Sequence, residues 1–398
     1  MKIRDIASFQ NGYAFKSKDF ILNGCYKIIK IKELKDGKVK FFEDSVSVDI
    51  SDTKKYEKYI VNKGDVLFAL TGDPVNKNNP LSWVGRVSVY ESDTPALLNQ
   101  RVCKLIPSDN INAKYIYYYF RDFENFYALA SIAKGSASQA NISTKDIENV
   151  DISLPPLEQQ DRIVEILDCI SNKINANTEI NNNLEQQAQA IFSNEFLTLE
   201  TLLDGWKQAS LIDVADYLNG LAMQKYRPTA DETGIPVLKI KELRQGCCDN
   251  NSEMCSPNIK SEYIIHDGDV IFSWSGSLLV DFWCGGICGL NQHLFKVSSS
   301  KYDKWFYYAW TKHHLDRFIA IAADKATTMG HIKRDELAKA EVLIPTEADY
   351  NRIGALLQPI YDLIIANRIE NKKLAETRDS LLPKLMSGEI DISEVDYE

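Results

Sequence analysis

Short polar segments carry the side chains of this chain that are best suited to hydrogen-bonding an external ligand. Arginine, lysine, asparagine and glutamine present forked donors and acceptors that can pair with base edges, and lysine with small hydroxyl residues can hold phosphates. In the first half of the sequence, the candidates are Thr71, Lys77, Asn78, Asn79, Arg101, Lys134, Ser136, Ser138, Gln139 and Asn141. In the second half, they are Lys225, Arg227, Ser273, Ser275, Ser277, His293, Lys325, Thr327, Thr328 and His331. A solvated loop without a ligand is the alternative for each single residue.

Two pairs of segments contain most of these candidates. Residues 71–80 and 273–277 follow equivalent strand-like segments but differ in composition, as contacts with different ligands would require. Residues 134–141 and 325–331 both begin with lysine, are rich in small polar residues and precede a similar helix start, so we favour this pair. The turns 99–101 and 291–293 are weaker candidates, because an Asn-Gln pair can equally satisfy buried backbone groups.

No segment carries a catalytic signature. The sequence lacks an Asn/Asp-Pro-Pro-Tyr/Phe motif, a G-x-x-x-x-G-K-[ST] phosphate loop and a G-x-G-x-x-G loop, so we assign no catalytic residue and expect any chemistry to come from partners. A metal site is not expected either. The clustered cysteines lack paired C-x2-C spacing, which favours packed or surface thiols over zinc ligands; they are Cys247, Cys248, Cys255, Cys284 and Cys288.

The net charge of −10 is unevenly distributed. Residues 156–206 and 341–398 together carry 8 Lys+Arg against 21 Asp+Glu, whereas residues 1–155 carry 22 against 19 and residues 207–340 carry 16 against 16. Residues 1–155 and 207–340 are therefore neutral to slightly basic and could face an anionic partner. The acidic connectors are not expected to face it. The sequence shows neither a membrane-spanning apolar run nor a signal peptide, which predicts a cytoplasmic protein.

The chain contains an internal repeat. Residues 28–34 recur in type as 237–243, 63–68 as 267–272, 98–101 as 290–293, and the aromatic run 115–120 as 305–310. Because the order is kept while the spacing drifts, we predict two homologous domains of the α+β class. The aromatic runs favour core packing over base stacking, since they recur on the same element.

A long amphipathic helix is predicted after each repeat. Apolar residues form one stripe over residues 157–197, and the same stripe recurs 190 residues later, as in a coiled coil. We expect the helices to pair antiparallel, and about 40 residues would span roughly 60 Å. Asn177 and Asn367 occupy matching stripe positions. Either the two asparagines meet and fix the register of the helices, or both reach solvent at the stripe edge.

Two segments of the sequence resemble signature segments of type I restriction-modification specificity subunits. They are Ser-Leu-Pro-Pro-Leu-Glu-Gln-Gln at 153–160 and Leu-Leu-Pro-Lys-Leu-Met-Ser-Gly-Glu-Ile at 381–390, and the likeness extends over the whole chain. Two features depart from the family pattern. The second copy of the Pro-Pro-Leu-x-Glu-Gln motif is reduced to Pro-Thr-Glu-Ala-Asp at 345–349, and the first domain lacks the Trp-Lys start seen at 206–207.

This resemblance implies a specific architecture. Two target recognition domains of mixed α/β structure, each with a twisted sheet, would be separated by two long antiparallel coiled-coil helices. We place the first recognition domain at 1–155, the first helix at 156–200, the second recognition domain at 201–345, and the second helix with the C-terminal tail at 346–398.

The resemblance also implies a function. Each recognition domain would read one half of a bipartite sequence in double-stranded DNA, and the helices would set the gap and dock two methyltransferase subunits. Those partners would use S-adenosylmethionine, and restriction subunits would use ATP and Mg²⁺, so this chain would bind no cofactor itself. Two alternatives remain: a coiled-coil scaffold whose duplicated domains bind proteins only, and a free-standing enzyme, which the missing motifs disfavour.

Overall fold

The structure is a computed structural model that describes residues 1–49, 53–77, 79–136, 138–324, 332, 334–390 and 392. The chain divides into two compact units: Met1–Ile170 with Thr377–Glu398, and Ser171–Glu376. Each unit therefore contains one repeat and a part of each long helix. The division into four segments at 155, 200 and 345 remains a prediction.

The first unit contains a six-stranded, a four-stranded and a three-stranded sheet among its described residues. In chain order, its strands are β1 (Ala7–Asn11), β2 (Tyr26–Ile29), β3 (Leu34–Lys35), β4 (Lys38–Val39), β5 (Ser47–Val48), β6 (Ile60–Val61), β7 (Val66–Ala69), β8 (Thr71–Gly72), β9 (Val87–Val89), β10 (Ala96–Leu98), β11 (Val102–Pro107), β12 (Lys134–Ser136) and β13 (Gln139–Asn141). The sheet orders are β1-β11-β7-β9-β4-β3, β5-β2-β10-β6 and β12-β13-β8.

The first unit contains the helices α1 (Thr53–Tyr56), α2 (Ala113–Tyr119), α3 (Phe123–Ser131), α4 (Thr144–Glu148) and the first part of α5 (Leu157–Phe192). Helices α2 to α5 share a core with the largest sheet, whereas Tyr56 of α1 packs with the four-stranded sheet. Tyr115, Ile116 and Tyr118 of α2 are buried against the sheet, which confirms core packing for the first aromatic run. Leu167 of α5 and Leu385 near the end of the second long helix lie in the same core.

The second unit repeats this framework with fewer strands in its described residues. Its strands are β14 (Lys207–Ser210), β15 (Asp216–Asn219), β16 (Ile235–Leu238), β17 (Met254–Cys255), β18 (Ile264–Ile265), β19 (Val270–Ser273), β20 (Leu279–Phe282), β21 (Cys288–Leu290), β22 (Leu294–Ser298) and β23 (Glu341–Ile344). They form the sheets β15-β22-β19-β20, β17-β16-β21-β18 and β14-β23. The first two match β1-β11-β7-β9 and β5-β2-β10-β6 of the first unit.

Five further helices complete the second unit: α6 (Leu211–Val214), α7 (Ile240–Gln245), α8 (Lys304–His313), α9 (Leu315–Asp324) and α10 (Arg334–Ala338), before the long helix α11 (Glu347–Ser387) begins. All seven residues from Trp305 to Thr311 on α8 are buried, so the second aromatic run is also core. The α+β class and the duplication are confirmed. Each domain is built on two principal sheets, whereas the sequence indicated one.

Matching ion pairs stabilise the Gly-Asp turns that the repeat revealed. Asp65 accepts a hydrogen bond from the ammonium of Lys104 at 3.1 Å, and Asp269 contacts Lys296 at 2.8 Å. All four side chains are at most 25% exposed, so removing one partner would leave a poorly solvated charge. Each turn is therefore tied to the strand that carries the lysine, β11 or β22, which pairs with the strand after the turn.

A buried glutamate marks the matched segments 28–34 and 237–243. Glu33 and Glu242 are 0% and 3% exposed. Each accepts a hydrogen bond from a serine hydroxyl, Ser45 at 2.8 Å and Ser252 at 3.1 Å, and another from the backbone N–H three residues earlier. The recurring Lys-Ile-Lys-Glu-Leu sequence is thus explained by hydrogen bonds inside each domain.

A turn joins the two principal sheets of each domain, and a glycine lies against it. The backbone N–H of Asn99 donates to Ile29 in the neighbouring sheet at 3.1 Å, and Asn291 donates to Leu238 at 3.2 Å. A Cβ atom on Gly12 would lie 2.1 Å from the Asn99 carbonyl oxygen, and the corresponding distance from Gly220 to Asn291 is 2.2 Å. Only glycine permits this approach, which accounts for its place directly after the matching strands β1 and β15.

The long helices confirm the amphipathic pattern, and in the second unit they run antiparallel. Lys173 of α5 pairs with Glu370 of α11 at 3.5 Å, while Glu195, just after α5, pairs with Arg352 at 2.7 Å. The partner number falls as the α5 number rises. A further contact ties α11 to the domain: Arg368 contacts Glu185 at 2.8 Å and Asp281 of β20 at 2.6 Å.

The two conspicuous asparagines are buried, at 1% and 8% exposure, so they do not reach solvent. They also do not pair with each other. Asn177 donates to the side-chain oxygen of Asn371, and Asn367 donates to that of Asn181, both at 2.9 Å. Positions 181 and 371 are again 190 residues apart, so the two bonds are equivalent under the internal repeat. The pairing is shifted by one helical turn from the direct contact that the stripe suggested.

The reduced motif at 345–349 still starts a helix. The hydroxyl of Thr346 donates to the carboxylate of Asp349 at 2.9 Å and accepts from its backbone N–H at 3.3 Å, which is a helix N-cap. The indole N–H of Trp206 donates to the same carboxylate at 3.0 Å. Hydrogen bonds from Trp206 and Thr346 hold the pKa of Asp349 below its usual value.

Replacement of Gly12 by alanine should destabilise the first domain by about 1–3 kcal/mol, because the new methyl group overlaps the Asn99 carbonyl. Urea unfolding of the full chain measures the loss. Ser8→Ala, a change at an exposed residue of the preceding strand β1, is the matched control. Equal midpoints for the two variants would contradict this account.

Substitution of Asn181 by alanine should cost about 1–3 kcal/mol, because the buried Asn367 amide loses its acceptor. Asn182, the next residue on α5, is exposed, so Asn182→Ala should change stability little. Thermal unfolding of both variants compares them directly. A larger loss for the Asn182 variant would refute the role of the buried amide pair.

Candidate nucleic-acid interface

In the first domain, a small sheet brings together the two segments that the sequence singled out. Strand β8 begins residues 71–80, and it pairs with β13, which ends residues 134–141. The hydroxyl of Thr71 donates to the side-chain oxygen of Asn141 at 2.9 Å. Candidates separated by about 70 positions in the sequence therefore lie side by side.

The hairpin of β12 and β13 presents an exposed polar surface. Lys134, Ser136 and Ser138 are exposed, Gln139 is half-buried, and the two serine hydroxyls lie 3.1 Å apart. The hairpin is tight, since a Cβ on Gly135 would lie 2.1 Å from the Gln139 carbonyl oxygen. An exposed backbone with a lysine and hydroxyl groups beside it suits contact with phosphates.

Arg101 joins the same surface from the Asn-Gln turn. Its side chain is exposed, and its backbone carbonyl accepts a hydrogen bond at 2.9 Å from the N–H of Leu70, the residue before β8. The backbone of an exposed arginine, which carries a forked guanidinium, therefore lies next to the small sheet. That group is the side chain most often used to read guanine in the major groove.

The remaining candidates of residues 71–80 take different roles. Lys77 is exposed, and its carbonyl accepts from the indole N–H of Trp83 at 2.8 Å, which anchors the loop. Asn79 accepts from the N–H of Leu81 at 3.2 Å, so its side chain caps a short 3₁₀ turn. Asn78 lies outside the described residues.

In the second domain, two serines predicted as contacts are buried. Ser273 is 0% exposed, and its hydroxyl lies within hydrogen-bond distance of the carbonyl oxygens of Ser275 and Ser277. Ser275 is 2% exposed, and its hydroxyl lies 3.1 Å from Nδ1 of His293. Thr71 of the first domain, at 8%, is buried as well. Ser275 positions His293, and contact of these three residues with a ligand stays a prediction. Ser277 is half-buried in the same loop.

The second domain has two adjoining grooves, and Tyr263 lines both of them. One, of about 310 Å³, is lined by Tyr226 and Lys260; the other, of about 630 Å³, is lined by Trp274 and Arg334. The predicted residues Lys225 and Arg227 flank Tyr226 and are exposed. Arg227 lies 3.4 Å from the carboxylate of Glu253. Grooves with aromatic walls and basic rims can hold an edge of a nucleic acid.

The second favoured segment falls largely outside the described part of the chain. Lys325, Thr327, Thr328 and His331 belong to it. The backbone N–H of Ile332, just after them, donates to Trp274 at 3.0 Å, in the way that Ile142 donates to Leu70 at 3.0 Å in the first domain. The residue that follows each segment is thus hydrogen-bonded to the residue that follows the matching strand, β7 or β19.

Three features at these surfaces were not among the residues predicted from the sequence. They are the Lys-Lys-Tyr-Glu-Lys-Tyr segment at 54–59, Trp274 and Arg334. Alternation of basic and aromatic residues at 54–59 was an available signal, since it is typical of nucleic-acid surfaces. Trp274 lies inside the predicted segment 273–277, of which only the serines were named, and Arg334 gave no signal because its partner Tyr217 is distant in the sequence.

The cysteines are free thiols, as predicted. Cys255, Cys284 and Cys288 are buried, and burial raises the pKa of Cys255 and of Cys284 to about 11. They are protonated and packed at neutral pH. Within the described ranges, no three His, Cys, Asp or Glu side chains group as a metal site would require. In the same ranges, no helix is long and apolar enough to span a bilayer.

Known proteins resemble both halves of this chain. The family model described as the type I restriction modification DNA specificity domain matches residues 1–186 and again residues 203–376. The type I restriction enzyme MjaIX specificity subunit of Methanocaldococcus jannaschii is 25% identical over 337 residues, covering 78% of this chain and 76% of that protein. The putative MjaX specificity subunit of the same organism is 23% identical over 390 residues, covering 92% and 87%.

A solved structure shares the fold. The type I restriction-modification system S subunit from M. genitalium aligns with a TM-score of 0.59 at 15% identity, over 99% of this chain and 96% of that one. The internal repeat, the matched turns and the two family matches coincide in position. The chain therefore belongs to the type I restriction modification DNA specificity domain family and carries two copies of that domain.

Proposed function

We propose that this chain reads a two-part sequence in double-stranded DNA for a type I restriction-modification complex, with one half of the target assigned to each domain. The family membership and the curated specificity subunits that it resembles support this function. The reading surfaces are the small sheet with Arg101 in the first domain and the grooves beside Trp274 and His293 in the second.

One observation carries the proposal: the two domains share a framework but differ in the chemistry they expose. Arg101 and His293 occupy equivalent positions on the Asn-Gln turns, and Leu70 and Trp274 occupy equivalent positions at the strand edge. The glycine contacts, buried glutamates and ion pairs behind them are conserved between the copies. Two domains that read different half-sites need the same internal framework and different exposed side chains.

The long helices set the gap between the half-sites and dock two methyltransferase subunits. Residues 156–206 and 341–398 hold the excess negative charge of the chain, which disfavours contact with DNA phosphates and leaves them to protein partners. Helix α5 alone, with 36 residues, is about 54 Å long.

The chemistry belongs to the partners in this proposal. Methyltransferase subunits modify adenine with S-adenosylmethionine, and restriction subunits cleave with ATP and Mg²⁺, in the cytoplasm. The chain itself is not an enzyme and binds none of these cofactors. The missing catalytic motifs support this division of roles.

Co-expression with its methyltransferase partner should produce methylated adenines within a motif of two specified parts and a fixed unspecified spacer. Single-molecule sequencing of the host genome maps these bases, and cells with the methyltransferase alone are the control. A continuous motif, or the same motif without this chain, would count against the bipartite reading. Absence of any motif would favour the scaffold alternative.

Arg101→Ala should relax the motif in one half only, and His293→Ala in the other half only. A lost base contact reduces discrimination by about 1–3 kcal/mol, roughly 5- to 150-fold. The same modified-base map measures the effect. Lys145→Ala, an exposed change on α4, controls for loss of positive charge in the first domain. If either variant altered both halves, the assignment of one half per domain would fail.

A further inference from the structure

The first domain exposes a group of lysines between tyrosines. Helix α1 and the 3₁₀ turn Glu57–Tyr59 place Lys54, Lys55 and Lys58 on the surface. We call residues 54–59 the lysine-tyrosine patch. It contains three lysines and one glutamate, Glu57, so its net charge is +2.

Aromatic rings support this patch from below. The ring of Tyr13 lies 5.1 Å from that of Tyr56 and 5.3 Å from that of Tyr59. The Lys55 ammonium lies 5.2 Å from the centre of the Tyr56 ring, and the Lys58 ammonium lies 5.0 Å from that of Tyr59. Such cation–π contacts hold the ammonium groups over the rings while leaving them at the surface.

The patch adjoins the proposed reading surface. The backbone N–H of Tyr13 donates to Leu98 at 2.9 Å, and its carbonyl accepts from Gln100 at 3.0 Å. Gln100 precedes Arg101 in the turn. Tyr13 therefore connects the lysine-tyrosine patch to the turn that presents the arginine.

The equivalent segment of the second domain lacks this chemistry. Aligned on strands β6 and β18, residues 258–263 correspond to 54–59, and the three lysines are replaced by Asn258, Ile259 and Glu262. Ile259 is buried, and the Asn258 amide donates to Glu232. With Lys260 and Glu262, the segment is neutral. Leu221 stands where the first domain has Tyr13.

We propose that the lysine-tyrosine patch is a DNA phosphate anchor, specific to the first domain, that supplies a sequence-independent part of the affinity. This inference rests on the proposed function. Ammonium groups held at fixed positions beside a base-reading side chain can neutralise backbone phosphates and set the register of the duplex. The first domain therefore binds DNA of any sequence more strongly than the second, which depends more on its grooves.

Salt dependence tests the anchor without knowledge of the target sequence. The full chain binds a fluorescein-labelled 30-base-pair duplex of random sequence, and affinity is measured against salt concentration. Replacing Lys54, Lys55 and Lys58 by glutamine should reduce the slope of log affinity against log salt by about 2 to 3, since each neutralised phosphate contributes about 0.9. Replacing them by arginine should preserve the slope.

The matched control removes three exposed lysines from the long helices: Lys173→Gln, Lys373→Gln and Lys384→Gln. These lie in the acidic segments, so the slope should stay as in the unmodified chain. An unchanged slope in the patch variant, or an equal reduction in the control, would overturn the anchor. Absence of a bipartite methylation motif in cells with the unmodified complex would instead contradict the proposed function.

Discussion

The close backbone contact between a glycine and the Asn-Gln turn is the constraint on which both proposed reading surfaces depend. In each domain, this contact holds the glycine after β1 or β15 against the turn. The turn itself is hydrogen-bonded to the second principal sheet. Arg101 and His293 are the last residues of these turns. Because the contact is made by backbone atoms, side chains on the exposed side can differ without disturbing it.

Matched sequence motifs predicted the framework of the two domains well and their surfaces less well. The repeat, the α+β class and the long helices could be predicted, because they depend on periodicity and on the order of short motifs. The pairing of β8 with β13 could not, since it joins strands about 70 positions apart. Ser273 and Ser275 look like exposed loop residues in the sequence. In the structure, the Ser273 hydroxyl bonds to nearby carbonyls of its own buried turn, and the Ser275 hydroxyl faces His293.

The polar positions of the long helices show the same limit. Asn177 and Asn367 were recognisable as exceptions in an apolar stripe, yet Asn181 and Asn371 complete the arrangement. An antiparallel pair can be shifted by a turn and still keep apolar residues in contact. The hydrogen bonds between amides distinguish these registers, because a shifted pair would bury amide groups without partners.

Arg368 restricts which second domains this chain could accept in an exchange. Its guanidinium bridges Glu185 of one long helix and Asp281 of the recognition domain. The equivalent residue of the first helix, Thr178, contacts only the helices: it donates to Ile174 of its own helix and accepts from Asn371 of the other at 3.4 Å. A recombination event that imports a foreign second domain therefore needs an acidic residue at position 281. Without one, the largely shielded Arg368 cation keeps only Glu185 as its partner, so the compatibility of an imported domain depends on this single acid.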